Sequence, residues 1–134
     1  DVFLSLPATS PLRNAQDVDS AIEKLQVSGA DICISVTPAS RSPYFNMVKV
    51  GEDGTAELVI KPKDAVCRRQ DAPDVYDITT VVYAAAVPFI EQHSSIFTGQ
   101  VVVTVVPKIR AIDIDDIYDF MFAETILKSE LNNA

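Results

Sequence analysis

Two aspartates one residue apart, Asp113 and Asp115, stand in the run Ile112-Asp113-Ile114-Asp115-Asp116, just past a valine-rich segment. In an extended chain both carboxylates point to one side while Ile112 and Ile114 point into the core. Carboxylates on one face can share a hard cation such as Mg²⁺. Without a cation they repel, and one of the two pKa values rises. The same residues also suit a helix start, with Asp115 or Asp116 as the N-cap of a C-terminal helix. The spacing by itself leaves both readings open.

A second constellation is Thr9-Ser10-Pro11-Leu12-Arg13, expected at the C-terminal edge of the first strand. In an open parallel sheet that edge is where ligands bind. Hydroxyls, backbone amides and an arginine fork suit phosphate or carboxylate oxygens. The alternative is a turn into a helix with Arg13 in solvent. A third is Arg68-Arg69-Gln70-Asp71, in the only basic cluster of an acidic chain, residues 61–73. Those arginines suit an anionic substrate, a neighbouring subunit or plain solvent. His93 lies among Glu91, Gln92 and Ser94 and reads as a surface helix residue without a catalytic role. Cys33, inside an apolar run, reads as a buried thiol. Cys67 stands beside Arg68 and Arg69, which can lower its pKa, but no neighbour supplies a general base.

The elements that must hold these groups follow from periodicity. Residues 2–6 read as a strand, and Asn14 as the N-cap of a helix with Val18, Ala21, Ile22 and Leu25 on one face, stopping at Ser28-Gly29. Residues 31–36 read as a second, buried strand, giving a βαβ unit with parallel strands. Residues 44–50 and 57–60 read as an antiparallel hairpin turning at Asp53-Gly54. Residues 77–86 are strand-like, 88–94 form a short helix, and 100–106 are a valine-rich strand. The last helix carries Ile117, Phe120, Met121, Ala123, Leu127 and Leu131, an apolar stripe expected to pack on the sheet. The expected sheet core is residues 2–6, 31–36 and 100–106, with Thr9-Ser10 and the acidic pair lining one crevice.

With 134 residues, 48% hydrophobic and 22% charged, the chain is one folded domain rather than two or a disordered tract. A net charge of -8 argues against nucleic acid as partner, because no basic surface is available to displace phosphate counterions. No apolar stretch approaches a membrane span, and no signal-like segment leads the chain. A buried-type strand at once after Asp1 suggests that the numbering starts partway through a larger fold.

Taken in order, residues 6–13, Pro43-Tyr44, residues 68–71 with Pro73 and Tyr76, and residues 111–115 resemble the motifs of the acylneuraminate and related sugar-acid cytidylyltransferases. The resemblance covers essentially the whole chain. It implies a nucleotide-diphospho-sugar transferase-like (Rossmann-like) three-layer α/β fold, truncated at the N-terminus. Residues 1–134 would be a single partial domain, with 43–76 a hairpin and basic insertion that forms a homodimer. The implied reaction joins CTP and a 2-keto-3-deoxy sugar acid into a CMP-sugar and pyrophosphate, in the cytoplasm, with Mg²⁺ or Mn²⁺ on Asp113 and Asp115. Asp113, Asp115 and Arg69 would be catalytic, Arg69 reaching a neighbouring subunit's sugar site. Thr9, Ser10, Arg13, Arg68, Arg69, Gln70, Thr79 and Thr80 would bind substrates. The family's Gly/Arg/Lys-rich nucleotide loop has no counterpart here, so this piece alone is expected to be inactive. Pro7-Ala8 replaces the usual Gln-Pro, and Thr79-Thr80 stands where many members have Asn-Gly. Both departures touch the acceptor side and put the sugar's identity in question. The competing readings are a same-fold nucleotidyltransferase with another base or a sugar phosphate, and a non-catalytic structural fragment.

Overall fold

The computed structural model describes residues 1–61 and 69–133. The chain divides into two compact units, Asp1–Thr37 with Asp77–Ala134, and Pro38–Tyr76.

The larger unit is α/β. Its sheet contains β1 (Val2–Ser5), β2 (Ile32–Pro38), β5 (Tyr76–Ala86) and β6 (Val101–Val105), in the order β1-β5-β2-β6. β1 pairs antiparallel with β5, with Val2 opposite Ala86 and Ser5 opposite Tyr83. β2 pairs parallel with β6, with Ile32 opposite Val101 and Val36 opposite Val105. Between β2 and β5, Asp31 meets Ala86 and Ser35 meets Val82, contacts whose numbers run in opposite directions, so this pair is antiparallel. The expected core therefore needs correcting, both in strand order and because the outer strands β1 and β6 leave Val2, Phe3, Val103 and Val105 exposed. β1 and β2 point the same way but are not neighbours, because β5 is inserted between them and makes the sheet mixed. The eleven residues of β5 supply the long, largely apolar Val81-to-Ala86 end that a central strand requires.

The sequence of β2 is apolar almost throughout because both faces are covered. Cys33 joins Ala21 and Leu25 of helix α1 (Ala15–Ser28), together with Val82, Ala84 and Val106, on one side. Ile32, Ile34 and Val36 pack with Ala85 and with Phe89 of helix α2 (Val87–Gln92) on the other. Each fully buried aliphatic side chain of this kind contributes roughly 1.5–3 kcal/mol relative to exposure. Ser35 is the polar exception. It is fully buried, and its hydroxyl accepts from the Thr79 hydroxyl at 2.6 Å and the Val82 amide at 3.0 Å, which satisfies it.

Helix α1 starts as its sequence dictates. The Asn14 side chain accepts from the Asp17 amide, and the Asp17 carboxylate returns a bond to the Asn14 amide, both at 3.0 Å. It stops at Gly29, whose φ of 65° is left-handed. Helix α3 (Ile117–Asn132) is capped by Asp116, with Asp119 as the reciprocal partner, so Asp116 rather than Asp115 is the cap. Its apolar residues do not form one covered stripe. Ile117, Phe120, Met121, Phe122, Leu127 and Leu131 are exposed, and only Ala123 is buried. Apolar side chains at 117, 118, 120, 121 and 122 surround the first turns, so no single contact face could cover them. Among the described residues, no helix is long and apolar enough to cross a membrane.

The smaller unit holds the hairpin β3 (Val48–Val50) and β4 (Ala56–Leu58), with Lys49 opposite Glu57. Gly54, at φ 80°, makes the turn, and the Asp53 carboxylate accepts from the Thr55 amide and hydroxyl. The strands are shorter than expected. The Ser42 carbonyl accepts from the amides of Phe45, Asn46 and Met47, which winds residues 43–46 into a turn before β3 begins. On one face Lys49 and Lys61 both pair with Glu57, whose carboxyl is held down at about 2, first by Lys61 and then by Lys49. On the other face Val48 and Val50 are exposed.

Candidate active site

The C-terminal ends of β1, β2 and β6 and the N-terminal end of β5 meet at one edge of the sheet, the edge at which open α/β sheets bind ligands. A cleft of about 250 Å³ lies there, lined among others by Thr37 from β2, Asp77 and Thr79 from β5, and Lys108, Asp113 and Asp119. Asp113 belongs to the irregular segment between β6 and α3. The amide of the next residue, Ile114, donates to the Thr9 carbonyl at 2.9 Å. The Thr9-Ser10 turn and the acidic segment are therefore joined at the same end of the sheet.

Asp113 is half-buried, and its Oδ1 is buried without a hydrogen-bond partner. Such an atom normally costs about 1–3 kcal/mol, more if charged, unless a ligand or ion completes it. Asp115 is exposed and does not line the cleft, while Asp119, one helical turn on, does. The Asp119 carboxylate is engaged by the amides of Asp115 and Asp116 at 3.0 and 3.3 Å. Among the described residues, no three acidic, histidine or cysteine side chains form a closed metal cage. A hydrated Mg²⁺ does not need one, since it is held by one or two carboxylates plus substrate oxygens. Asp113, with its orphaned oxygen, fits an ion held in that way, whereas of the expected acidic pair Asp115 lies outside the cleft lining.

The hydroxyls and the arginine of the first turn are committed within the fold. Ser10 is fully buried, and its hydroxyl lies 2.6 Å from that of Thr80. Arg13 donates from Nε to the Val81 carbonyl at 2.7 Å, and from Nη2 to the Thr80 carbonyl at 3.2 Å and the Pro7 carbonyl. Burial lowers its pKa, and Asp17 works against that. Thr9 is exposed, and its carbonyl is the acceptor of the Ile114 amide. Thr79 is buried, with its hydroxyl donated to Ser35, and Thr80 is half-buried. Thus Thr9, Ser10, Arg13, Thr79, Thr80 and Asp113 come together around one sheet edge, while Ser10, Arg13 and Thr79 act there as braces. Gln70 is exposed in a short 3₁₀ turn, Arg69–Asp71, of the smaller unit. Arg68, the Arg69 side chain and Cys67 lie outside the described residues.

An ion pair ties the segment after β6 to α1. Arg110, just after β6, grips Asp17 of α1 through Nη2–Oδ1 at 2.8 Å and Nε–Oδ2 at 3.0 Å. Burial pushes the Asp17 carboxyl up, but the Arg110 hydrogen bonds, the Asn14 amide and the charges of Arg110 and Arg13 outweigh it and hold the pKa low. Burial also raises the Tyr83 phenol, and the negative charge of Asp113 adds to it.

Sequence reasoning passed over Thr37, Asp77, Lys108 and Asp119. Asp119 had a usable signal, as the third residue after an acidic N-cap. Thr37 was visible only as the polar end of an apolar strand.

No protein-family model matches the chain. Over 131 residues, 97% of the chain and 54% of the relative, it is 31% identical to the post-translational flagellin modification protein B of Campylobacter coli. Over 95 residues, 70% of the chain and 39% of the relative, it is 30% identical to the CMP-N,N'-diacetyllegionaminic acid synthase of Campylobacter jejuni. These similarities support a sugar-acid cytidylyltransferase-like family. They do not single out a member. The chain spans about half the length, or less, of these curated relatives.

Proposed function

We propose that the protein containing this chain transfers the cytidylyl group of CTP to a 2-keto-3-deoxy sugar acid of the N-acylneuraminate type, giving a CMP-sugar and pyrophosphate. The observation that carries the reading is the buried, unpartnered carboxylate oxygen of Asp113, a residue lining a cleft at the ligand-binding edge of the sheet. The similarity to a CMP-sugar-acid synthase points the same way.

In this reading the acceptor's anomeric hydroxyl attacks the α-phosphorus of CTP in line and pyrophosphate leaves. Such a transfer is governed by positioning and by neutralising charge where it develops. Asp113 and Asp115 would hold Mg²⁺ (or Mn²⁺), which when bound offsets the charge of the phosphate oxygens. Thr9 and the Ile114–Thr9 bond fix the acidic segment against the first turn, while Ser10, Thr80 and Arg13 keep that turn rigid. The unit at Pro38–Tyr76, with Val48 and Val50 exposed on one hairpin face, we assign to homodimer formation. Arg68, Arg69 and Gln70 would serve the neighbouring subunit's acceptor site. We place the reaction in the cytoplasm.

Pyrophosphate release by the full-length protein, screened over CTP and UTP with N-acetylneuraminate, legionaminate, pseudaminate and Kdo, tests the reading. Release that requires CTP and one of these acids supports it. Release with UTP and a neutral sugar phosphate, or none with any pair, sinks it.

A further inference from the structure

Thr37 ends the apolar run of β2 at the cleft. It is 8% exposed, yet its Oγ1 has no hydrogen-bond partner. A buried hydroxyl left this way costs stability, and valine would fill the same space without the cost. The other buried hydroxyls of this region are satisfied: Thr79 donates to Ser35, and Ser10 pairs with Thr80. The second buried side-chain oxygen without a partner, Asp113 Oδ1, belongs to a residue lining the same cleft. Two residues lining one cleft thus each carry a buried oxygen without a partner, which marks a place completed by something else.

The lining indicates what that is. Asp77, Asp113, Asp119 and Lys108 line it, three acidic residues to one basic. Such a surface repels a second anion and welcomes hydrogen-bond donors. The Asp113 carboxylate is taken by the ion assigned to it above, and an alcohol suits the remaining orphaned atom, since it can accept from the threonine hydroxyl or donate to it. We propose that Thr37 is a specificity-determining residue, hydrogen-bonded to a hydroxyl group of the acceptor sugar acid seated in this cleft. The acceptor's own carboxylate is recognised elsewhere. The inference rests on the acceptor reading given above.

The test compares wild-type, Thr37→Val and Thr37→Ser full-length proteins by calorimetric binding of N-acetylneuraminate and of Kdo, by CTP binding, and by thermal unfolding. For the acid that binds wild type, Thr37→Val should weaken binding about tenfold, as for a lost hydrogen bond to a polar ligand. Its CTP affinity should not change, and its Tm should hold or rise, because the lost hydroxyl bonds nothing in the free protein. Thr37→Ser should stay within about threefold of wild type. Unchanged acid affinity in Thr37→Val, or a lowered Tm, overturns the role of Thr37 while leaving the proposed reaction standing. If wild type binds neither acid nor CTP, the proposed reaction fails and this inference fails with it.

Discussion

The Ile114 amide donates to the Thr9 carbonyl across 2.9 Å, tying the segment that carries Asp113 to the turn that follows β1. No side chain is involved, so the tie is independent of residue type, save that proline at position 114 would lack the donor. Ile114→Pro removes the donor. We expect a loss of about 1 kcal/mol in stability and a disproportionate fall in turnover, read by denaturant unfolding and pyrophosphate release. Equal turnover in the two proteins would mean that the acidic segment is positioned by other contacts.

Asp113→Asn should cut turnover about a hundredfold, because a neutral amide replaces the carboxylate. Its Tm should not fall, since Oδ1 gives up no hydrogen bond. It should also lower the Tyr83 phenol pKa, by removing the negative charge that helps raise it. Ultraviolet titration, with Tyr83→Phe identifying the signal, reads that shift. An unmoved Tyr83 titration would place the carboxylate farther from the ring than it is here.

Arg13 presents Nε and Nη2 to three backbone carbonyls, of Pro7, Thr80 and Val81. Lysine cannot reproduce that fork. Arg13→Lys should destabilise the fold by about 2 kcal/mol and leave the KM for CTP unchanged. An altered KM with an intact Tm would assign the guanidinium to substrate instead.

The pKa of Asp17 is depressed in the folded state, so its ion pair contributes stability above the ordinary carboxylate range near pH 4, and loses it as pH falls through the lower folded value. Arg110→Ala leaves a buried carboxylate without its partner and should cost about 3 kcal/mol at pH 7. It should also flatten the loss of stability between about pH 5 and pH 2. Urea unfolding across that range checks both; an unchanged acid limb would refute the assignment.

Local signals carried much of the architecture. Asn14 and Gly29 bounded α1, the Ile32-to-Val36 run marked a strand buried on both faces, and Asp53-Gly54 marked the hairpin turn. The place of β5 was not legible, because strand order depends on which faces complement one another across the whole sheet. The start of β3 was masked by side-chain and backbone competition at Ser42 and Asn46, which form a turn from residues that otherwise suit a strand. At the site, the Asp113 pattern was visible as a one-residue alternation. The committed roles of Ser10 and Arg13 were not, since a hydroxyl or guanidinium reads the same whether it meets a ligand or Thr80 and Val81. The role of Thr37 was hidden for the opposite reason: what distinguishes it is a missing partner, which only three-dimensional packing reveals.

The cleft draws on Thr37, Thr79 and Asp113, and its braces reach from Ser10 to Thr80, 70 residues apart. No contiguous stretch of chain contains even a rudimentary version of it. Forming it requires closing long loops before any of its contacts repay the lost entropy, which makes assembly slow and cooperative. Binding competence should therefore emerge in a refolding experiment no earlier than the native signal of the sheet itself. Ligand binding can then serve as a clock for completion of the sheet.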